Sequence, residues 1–297
     1  MKGKVSVIIT TYNRDYNTLK RAINSVFTQT YSNFEIIVVN DTPAEFPYFS
    51  EVSKGIEEYK EKLTYIANGV NRGACFIRNQ GFEVSNGEYV AFLDDDDEWL
   101  QNKLEEQVKL ISSKKCVMVS SAYNCIWLDT FNQPIKEKIK NNKKYKIKTE
   151  EILHKNIIGG CSAPLISHEA FKLSGGFNNS LPAAQDADLW IRISKLGDIY
   201  CVLTPLLNYY IYASERISNN PEKKIFATKH LIAQYANMAE NKPLFLKEKY
   251  MLIAFNYYLL TNKKEGDKFY NLAQQQKGIS KTFMIYWLRS LKRRAIK

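Results

Sequence analysis

Four consecutive aspartates at positions 94–97 offer the clearest chemistry in this sequence, because they directly follow a short apolar run. Adjacent carboxylates repel one another unless a positive charge neutralises them. Hard divalent cations bind carboxylate oxygens, and Mg²⁺ is typically held by one or two carboxylates together with substrate phosphates. The run therefore predicts a metal site shared with a diphosphate. The alternative is that the aspartates favour the N-terminus of a following helix.

Two familiar acidic motifs do not match this run. An EF-hand loop needs a glycine that is absent here. A dehalogenase-type phosphatase would carry a threonine where this chain has Glu98. A calcium-binding EF-hand loop and a dehalogenase-type phosphatase site are therefore both excluded as explanations of the acidic run.

The elements that must position the aspartates alternate between strand and helix patterns along the first third of the chain. The strand patterns are 5–9, 34–39, 63–67 and 89–93, and the helical patterns between and after them are 19–27, 76–84 and 100–111. Strands separated by helices predict an α/β protein whose mostly parallel sheet is covered on both faces.

Polar residues follow the confident strands. Thr10 and Thr11 come after the first, Asn40 and Asp41 after the second, and the aspartates after the strand at 89–93. In open α/β sheets, ligands bind outside the carboxyl ends of the strands. We therefore expect these side chains to meet at one edge of the sheet.

The rest of the chain differs in pattern from the first third. A lysine-rich stretch at 132–148 predicts an exposed loop or edge ribbon, with a nucleic-acid patch as the alternative. Short strands and helices continue to about residue 215, and beyond about 221 the spacing is wholly helical. We place a domain boundary near 215–222.

Composition narrows the class of protein. The 297 residues are 45% hydrophobic and 13% aromatic, which excludes disorder for most of the chain. No apolar run reaches the length of a bilayer-spanning helix, and the start of the chain lacks a signal-peptide pattern. A net charge of +11 indicates an anionic partner, which could be a nucleic acid, a membrane surface or a phosphorylated substrate. Five scattered cysteines without a CxxC pair predict free thiols in a reducing cytosol.

The motifs, taken in order, resemble the family 2 glycosyltransferases of GT-A fold over about residues 4–215. The motifs that carry the resemblance are VSVIITTYNR at 5–14, VVND at 38–41, NRG at 71–73 with Arg78-Asn79, GEY at 87–89, LDDDD at 93–97, GGF at 175–177 and QDADLWIR at 185–192. The resemblance implies a glycosyltransferase domain over 1–218, with a nucleotide-binding half at about 1–115 and an acceptor-binding half at about 116–218. The helical region 219–297 is not covered.

The resemblance assigns a nucleotide pocket to the first two strand ends. Thr10, Thr11 and Tyr12 would line it, and Asp41 would accept a hydrogen bond from the uracil ring. A carboxylate suits that role because it only accepts, and the imide N–H donates.

The resemblance also assigns the phosphate and metal contacts. Asp94 and Asp95 would bind the donor, and Asp96 would ligate Mn²⁺ or Mg²⁺. The metal would stabilise charge on the leaving nucleoside diphosphate. Arg78 matches an arginine that supports the donor phosphates, and the alternative for it is a salt bridge on a helix surface.

Asp186 matches the catalytic base of the family. A single carboxylate that activates the acceptor hydroxyl opposite the leaving group implies inversion at the anomeric carbon. The alternative is that Asp186 caps its helix, and the two roles are compatible. This chain departs from the family at Gln185, where Glu is frequent, and at Tyr212, where many members carry His.

The last segment, 280–297, contains no acidic residue and predicts a basic amphipathic helix with Phe and Trp. Such a helix suits an anionic membrane surface, and the alternative is a terminal helix packed on its neighbours. We expect a cytoplasmic protein, peripheral on the inner face of the cell membrane, without a nucleic-acid partner.

The predicted function is inverting, metal-dependent transfer of a sugar from a nucleotide-sugar, a UDP-sugar, to a saccharide or polyprenyl-linked saccharide in surface polysaccharide biosynthesis. Two alternatives stay open. One is a non-catalytic sugar-nucleotide or membrane-binding adaptor on the same fold, which Gln185 and Tyr212 would favour. The other is a nucleotidyltransferase, which would need a glycine-rich loop where this chain has Thr-Tyr-Asn-Arg.

Overall fold

The computed structural model describes residues 3–140, 144–212 and 220–294. The chain forms two compact units. The first comprises Met1–Lys148, Ile157–Asn179 and Leu189–Ser214, and the second comprises Thr149–Asn156, Ser180–Asp188 and Glu215–Lys297. The predicted boundary near 215–222 falls mostly on residues 213–219, which lie outside the described residues.

A ten-stranded sheet forms the centre of the first unit. Its strands are β1 Val5–Thr11, β2 Phe34–Pro43, β3 Thr64–Gly69, β4 Tyr89–Asp94, β5 Glu98–Trp99, β6 Met118–Leu128, β7 Pro134–Lys140, β8 Lys146–Ile147, β9 Leu165–Ser167 and β10 Ile199–Ile211. The main order is β3-β2-β1-β4-β9-β6-β10-β5, while β7 pairs with β6 and β8 with β10.

The first four strands in the sheet, β3-β2-β1-β4, are parallel, as predicted. Every residue of β1 is buried, which explains its continuous β-branched sequence. Beyond β4 the sheet is mixed: β9 is antiparallel to both β4 and β6, whereas β10 runs parallel to β6. This arrangement confirms the predicted α/β class.

Helices connect the strands of the first unit. They are α1 Tyr16–Phe27, α2 Pro47–Ile56, α3 Ala74–Glu83, α4 Lys103–Lys114 and α6 His168–Leu173. The side chains of α1 that face the core recur at helical spacing and are fully buried: Leu19, Ala22, Ile23 and Val26. This apolar stripe packs in the same core as the buried side chains of β1 and β2 and so holds α1 against the sheet.

The lysine-rich stretch contains an exposed edge strand, which agrees with the predicted edge ribbon. All seven residues of β7 are exposed, and β7 pairs antiparallel with β6. Lysines alternate along β7 at 136, 138 and 140, which is typical of an edge protected against pairing with another chain. Lys143, part of the same predicted stretch, lies outside the described residues.

Helices make up the second unit, as the periodicity beyond residue 221 predicts. They are α5 Thr149–His154, the first turn of α7 Gln185–Ile193, α8 Pro221–Tyr235, α9 Lys242–Leu259, α10 Lys263–Gln274 and α11 Lys281–Arg294. The fully buried Ile253 and Ala254 of α9 pack with Ile225 and Phe269. Within the described ranges, no helix combines the length and apolarity that crossing a bilayer requires.

An ionic cluster around His154 ties together three parts of the second unit. Nδ1 of His154 lies 2.6 Å from the Glu248 carboxylate on α9, and Nε2 lies 2.9 Å from Glu150. Glu248 also accepts a hydrogen bond from Ser280, directly before α11, and Lys249 donates to the carbonyl of His154. The hydrogen bond that the His154 ring donates to Glu248 is the largest influence on the pKa of His154 and raises it above the ordinary value.

The His154 cluster predicts a stability difference that depends on pH. A raised folded-state pKa stabilises the protein below the unfolded-state pKa, and this contribution is lost as pH rises through the folded value. We expect His154→Gln to lower the free energy of unfolding by about 1–2 kcal/mol more at about pH 5.5 than at about pH 8.5. Urea denaturation of both proteins at each pH measures it. An equal difference at both pH values would contradict the charged pairing.

Candidate active site

The register of the parallel strands brings the predicted polar residues to one edge of the sheet. Thr10 lies opposite Val39 on β2 and opposite Asp94 on β4, and Thr11 lies opposite Asn40. Thr10 and Thr11 are buried, whereas Tyr12 is 43% exposed. The predicted meeting of the strand ends is therefore confirmed.

Asp41 anchors the loop that precedes α3. Its carboxylate accepts hydrogen bonds from the backbone N–H of Arg72, at 2.9 and 3.0 Å to its two oxygens, and from that of Gly73 at 2.8 Å. Asn68 adds a side-chain contact at 3.3 Å. Gly73 has φ +93°, a left-handed conformation that favours glycine and lets the chain turn toward the carboxylate. The role of Asp41 toward a uracil ring stays a prediction.

Arg78 neutralises the first aspartate of the run. Its Nη2 donates to Oδ1 of Asp94 at 2.7 Å, and the arginine is 9% exposed. Burial alone would lower the pKa of Arg78, but the nearby Cys161 thiol and Asp94 carboxylate raise it overall. The backbone N–H of Asp94 donates to the Ser162 hydroxyl at 3.1 Å. Arg78 therefore pairs with the aspartate run from a buried position and is not part of a surface salt bridge, and its role toward the donor phosphates stays a prediction.

Arg14 pairs with the next two aspartates. Its Nε lies 3.3 Å from Oδ1 of Asp95, and its Nη2 lies 3.1 Å from Oδ2 of Asp96. Asp95 is buried, and burial, together with the Asp96 and Asp94 carboxylates, raises the pKa of Asp95 to about 7 against the opposing effect of Arg14. Arg14 and Arg78 thus supply positive charge to three of the four aspartates.

Asp97 differs from its three neighbours. It is 0% exposed, and neither carboxylate oxygen has a hydrogen-bond partner among the described residues. Burial and the neighbouring Asp96 and Asp94 carboxylates raise the pKa of Asp97 well above its ordinary value. Such a group is stable at the site as a neutral acid or beside an added positive charge.

The helix-capping alternative for the aspartates does not hold. Helix α4 begins at Lys103 and its N-cap position is Asn102, so the run ends five residues before the cap. Asp94 instead ends β4, and the short strand β5 begins at Glu98. The acidic side chains therefore lie in the turn between two strands.

A second arginine, Arg21 on α1, supports the same turn. Its Nη2 donates to the backbone carbonyl of Asp96 at 2.9 Å and to the Tyr212 hydroxyl at 3.0 Å. The guanidinium lies 4.3 Å from the ring centroid of Tyr210, whose hydroxyl donates to Glu98 at 2.8 Å. Tyr212, at the position where the family pattern favours His, thus joins β10 to the aspartate turn.

The residues present fit a divalent cation held by few ligands. Within the described parts of the chain, no group of three or more His, Cys, Asp or Glu side chains is arranged to hold a metal. Mg²⁺ nevertheless needs only one or two carboxylates when substrate phosphates complete its shell. The oxygen-only donor set and the unpaired, buried Asp97 carboxylate are compatible with an added cation beside Asp96.

The GGF motif forms a tight turn in the first unit. Gly175 and Gly176 have φ +78° and +68°. The Asn79 side chain accepts from the backbone N–H of Phe177 at 2.9 Å and donates to its carbonyl at 2.9 Å. Phe177 is buried against the Phe92 ring of β4. This motif therefore has a structural role beside the aspartate strand.

Asp186 is the second residue of α7 and belongs to the second unit. It does not occupy the N-cap, since the helix begins at Gln185. The Asn156 amide donates to its Oδ2 at 2.8 Å, and the backbone N–H of Ala187 donates to its Oδ1 at 2.8 Å. Asp188, by contrast, is buried and accepts from the Tyr235 hydroxyl at 2.6 Å, a structural contact to α8.

Comparison with known proteins shows the family. Residues 6–173, more than half of the chain, match the description "Glycosyl transferase family 2". The chain therefore belongs to the family 2 glycosyltransferases, as the ordered motifs predict.

Similar curated proteins carry related names. An uncharacterized glycosyltransferase of Haemophilus influenzae is 26% identical over 95% of this chain and 93% of its own length. The putative colanic acid biosynthesis glycosyl transferase WcaA of Escherichia coli is 28% identical, covering 88% of this chain and 89% of that protein. The putative teichuronic acid biosynthesis glycosyltransferase TuaG of Bacillus subtilis is 29% identical, covering 75% and 84%.

Solved structures show the same fold. TarS residues 1–349 of S. aureus in complex with UDP-GlcNAc superposes with a TM-score of 0.63 over 98% of this chain and 89% of that chain, at 16% identity. TarS in complex with UDP gives a TM-score of 0.62 with the same coverage of both chains. This confirms the predicted GT-A fold with C-terminal helices.

Proposed function

We propose that this chain transfers a sugar from a UDP-sugar to a saccharide or lipid-linked saccharide during the assembly of a surface polysaccharide, with inversion at the anomeric carbon. The names of the colanic acid and teichuronic acid relatives support the pathway class. The TarS complexes with UDP and UDP-GlcNAc support the donor class.

The observation that carries the proposal is the aspartate turn, paired with two arginines, at the carboxyl ends of parallel strands. Arg78 and Arg14 pair with Asp94, Asp95 and Asp96 through contacts of 2.7–3.3 Å. Guanidinium groups bind phosphate oxygens as well as carboxylates. A diphosphate at this edge would meet both arginine donors and carboxylates able to share a cation.

In this proposal the chain supplies separate groups for the donor and the acceptor. Thr10, Thr11 and Tyr12 line the nucleoside end, and Asp41 keeps the loop at 71–73 in place beside it. Mn²⁺ or Mg²⁺ held by Asp96 would stabilise the charge that develops on the leaving diphosphate.

Asp186 removes the proton from the acceptor hydroxyl in the proposed reaction. Asn156 and the Ala187 N–H orient its two oxygens. A hydroxyl becomes an effective nucleophile only as its proton is taken, and one positioned carboxylate suffices for a single displacement. Single displacement inverts the configuration of the transferred sugar.

A hydrolysis screen tests the proposed activity without knowledge of the acceptor. The full chain is incubated with Mn²⁺ and a panel of UDP-, GDP- and TDP-sugars, and release of the nucleoside diphosphate is measured. We expect slow, metal-stimulated release from one or two UDP-sugars. Release from no nucleotide-sugar, together with no binding of UDP, would refute the proposal.

We also propose that α11 lies against an anionic membrane surface. Phe283 and Trp287 do not form its outer face, because Phe283 is buried against Met251 and the Trp287 indole donates to Tyr270 at 2.9 Å. The exposed apolar side chains are instead Met284, Ile285 and Leu288. Together with Lys281 and Arg289 on a segment without acids, they match a negatively charged lipid surface.

Vesicle binding distinguishes this surface from other exposed apolar side chains. The double variant Ile285→Asp with Leu288→Asp is expected to reduce flotation with phosphatidylglycerol-containing vesicles by about tenfold, because it places two acids on the lipid face. The matched control is Ile135→Asp with Ile139→Asp on β7, where both isoleucines are also exposed. Equal flotation of the two double variants would contradict the assignment to α11.

A further inference from the structure

We propose that Arg14 is an exchangeable counter-ion: it pairs with Asp95 and Asp96 until a nucleotide-bound cation takes its place, and it then passes to the donor diphosphate. This inference rests on the proposed function, because it assumes a diphosphate at the turn. Arg14 is a positioning residue here, which links cation binding to nucleotide binding.

A single guanidinium spans two neighbouring carboxylates. Nε of Arg14 faces Oδ1 of Asp95 at 3.3 Å, and Nη2 faces Oδ2 of Asp96 at 3.1 Å. Asp96 is the residue proposed to ligate the cation. A cation at Asp96 would carry the same sign as the guanidinium and would bind the same carboxylate, so each would weaken the binding of the other.

The surroundings of Arg14 keep it close to the turn after it leaves the carboxylates. Its guanidinium carbon lies 5.7 Å from the ring centroid of Tyr212, within the range of a cation–π contact. The Tyr212 hydroxyl is fixed by Arg21, which also holds the Asp96 carbonyl. The Arg14 side chain is 33% exposed, so a phosphate can reach it from solvent.

Exchange of partners makes cation and nucleotide binding cooperative. A cation that binds alone must displace Arg14 and leave the guanidinium without an anionic partner. A diphosphate supplies that partner, since arginine binds phosphate oxygens through paired N–H donors. By linkage, the nucleotide then raises the affinity for the cation by the same factor as the cation raises the affinity for the nucleotide.

Binding of Mn²⁺ to wild type and Arg14→Gln tests the proposal without measuring catalysis. Free Mn²⁺ is followed by electron paramagnetic resonance with and without UDP, and UDP binding in EDTA is followed by calorimetry. We expect Arg14→Gln to bind Mn²⁺ alone about tenfold more tightly and to lose most of the Mn²⁺–UDP coupling. We also expect it to bind UDP several-fold more weakly in EDTA.

The matched control is Lys109→Gln, which removes one positive charge at an exposed position of α4. It is expected to behave as wild type, and circular dichroism checks the fold of both variants. Unchanged or weaker Mn²⁺ binding by folded Arg14→Gln, with normal binding by wild type, would overturn the counter-ion proposal alone. Failure of wild type to bind either Mn²⁺ or UDP would overturn the proposed function and this inference with it.

Discussion

The Asp186→Asn variant is expected to lose sugar transfer by about a thousandfold, because general-base catalysis contributes roughly 10²–10⁴ in rate. Asparagine keeps the size of the side chain but cannot take the proton of an acceptor hydroxyl. We expect the loss in kcat, with the affinity for UDP unchanged, since Asp186 is proposed to act on the acceptor. Transfer assays and calorimetry with UDP measure the two quantities separately.

Two further variants sharpen this experiment. Asp198→Asn removes another aspartate charge at an exposed position, paired with Lys146, and should leave transfer unchanged. Asn156→Ala removes the amide that orients Oδ2 of Asp186 and should lower kcat by about tenfold. Wild-type turnover by Asp186→Asn would refute the base assignment while leaving the donor site in place.

The Asp96→Asn variant is expected to abolish the tightening of UDP binding by Mn²⁺ and to lower transfer by about 10²–10³, the range for loss of one electrostatic stabiliser of the leaving group. The variant also removes one carboxylate from Arg14, whose Nη2 contacts Asp96 at 3.1 Å. We therefore expect UDP binding in EDTA to stay near wild type or to become tighter, because the guanidinium is free for phosphate.

Glu137→Gln is the matched control for charge, since it removes an acid from the fully exposed strand β7. It should keep the wild-type response to Mn²⁺. If Asp96→Asn also kept that response, the cation would have to bind through other ligands.

The polar strand ends of the first unit could be predicted because each apolar run ends in polar residues at the carboxyl end of a parallel strand. Residues 5–11 and 89–94 are apolar runs that end in polar groups, and parallel pairing brings those ends together. The central strands β6 and β10 were only partly predictable. Strand β6 continues beyond its apolar start through Asn124. Strand β10 continues through Pro205, and the pairing register between the two strands shifts at Pro205.

The charge partners of the aspartates were not predicted, since Arg78 was assigned to the donor phosphates and its pairing with Asp94 comes from the structure. Arg14 precedes Asp95 and Asp96 by 81 and 82 residues, and Arg21 precedes the Asp96 carbonyl by 75. Local sequence patterns do not reveal pairs that form only when distant segments fold together. Arg14 lies in the loop before α1 and Arg21 lies within the helix, so no helical spacing links the two. The sequence likewise did not indicate that His154 pairs with Glu150 and Glu248.

A crystal structure of the full chain with UDP and Mn²⁺ tests the central claim most directly. We predict the cation bound to the Asp96 carboxylate and to diphosphate oxygens, with the uracil ring beside the loop that Asp41 anchors. A structure in which Asp94 and Asp96 keep their arginine partners, and neither UDP nor Mn²⁺ lies at the ends of β1, β2 and β4, would contradict it.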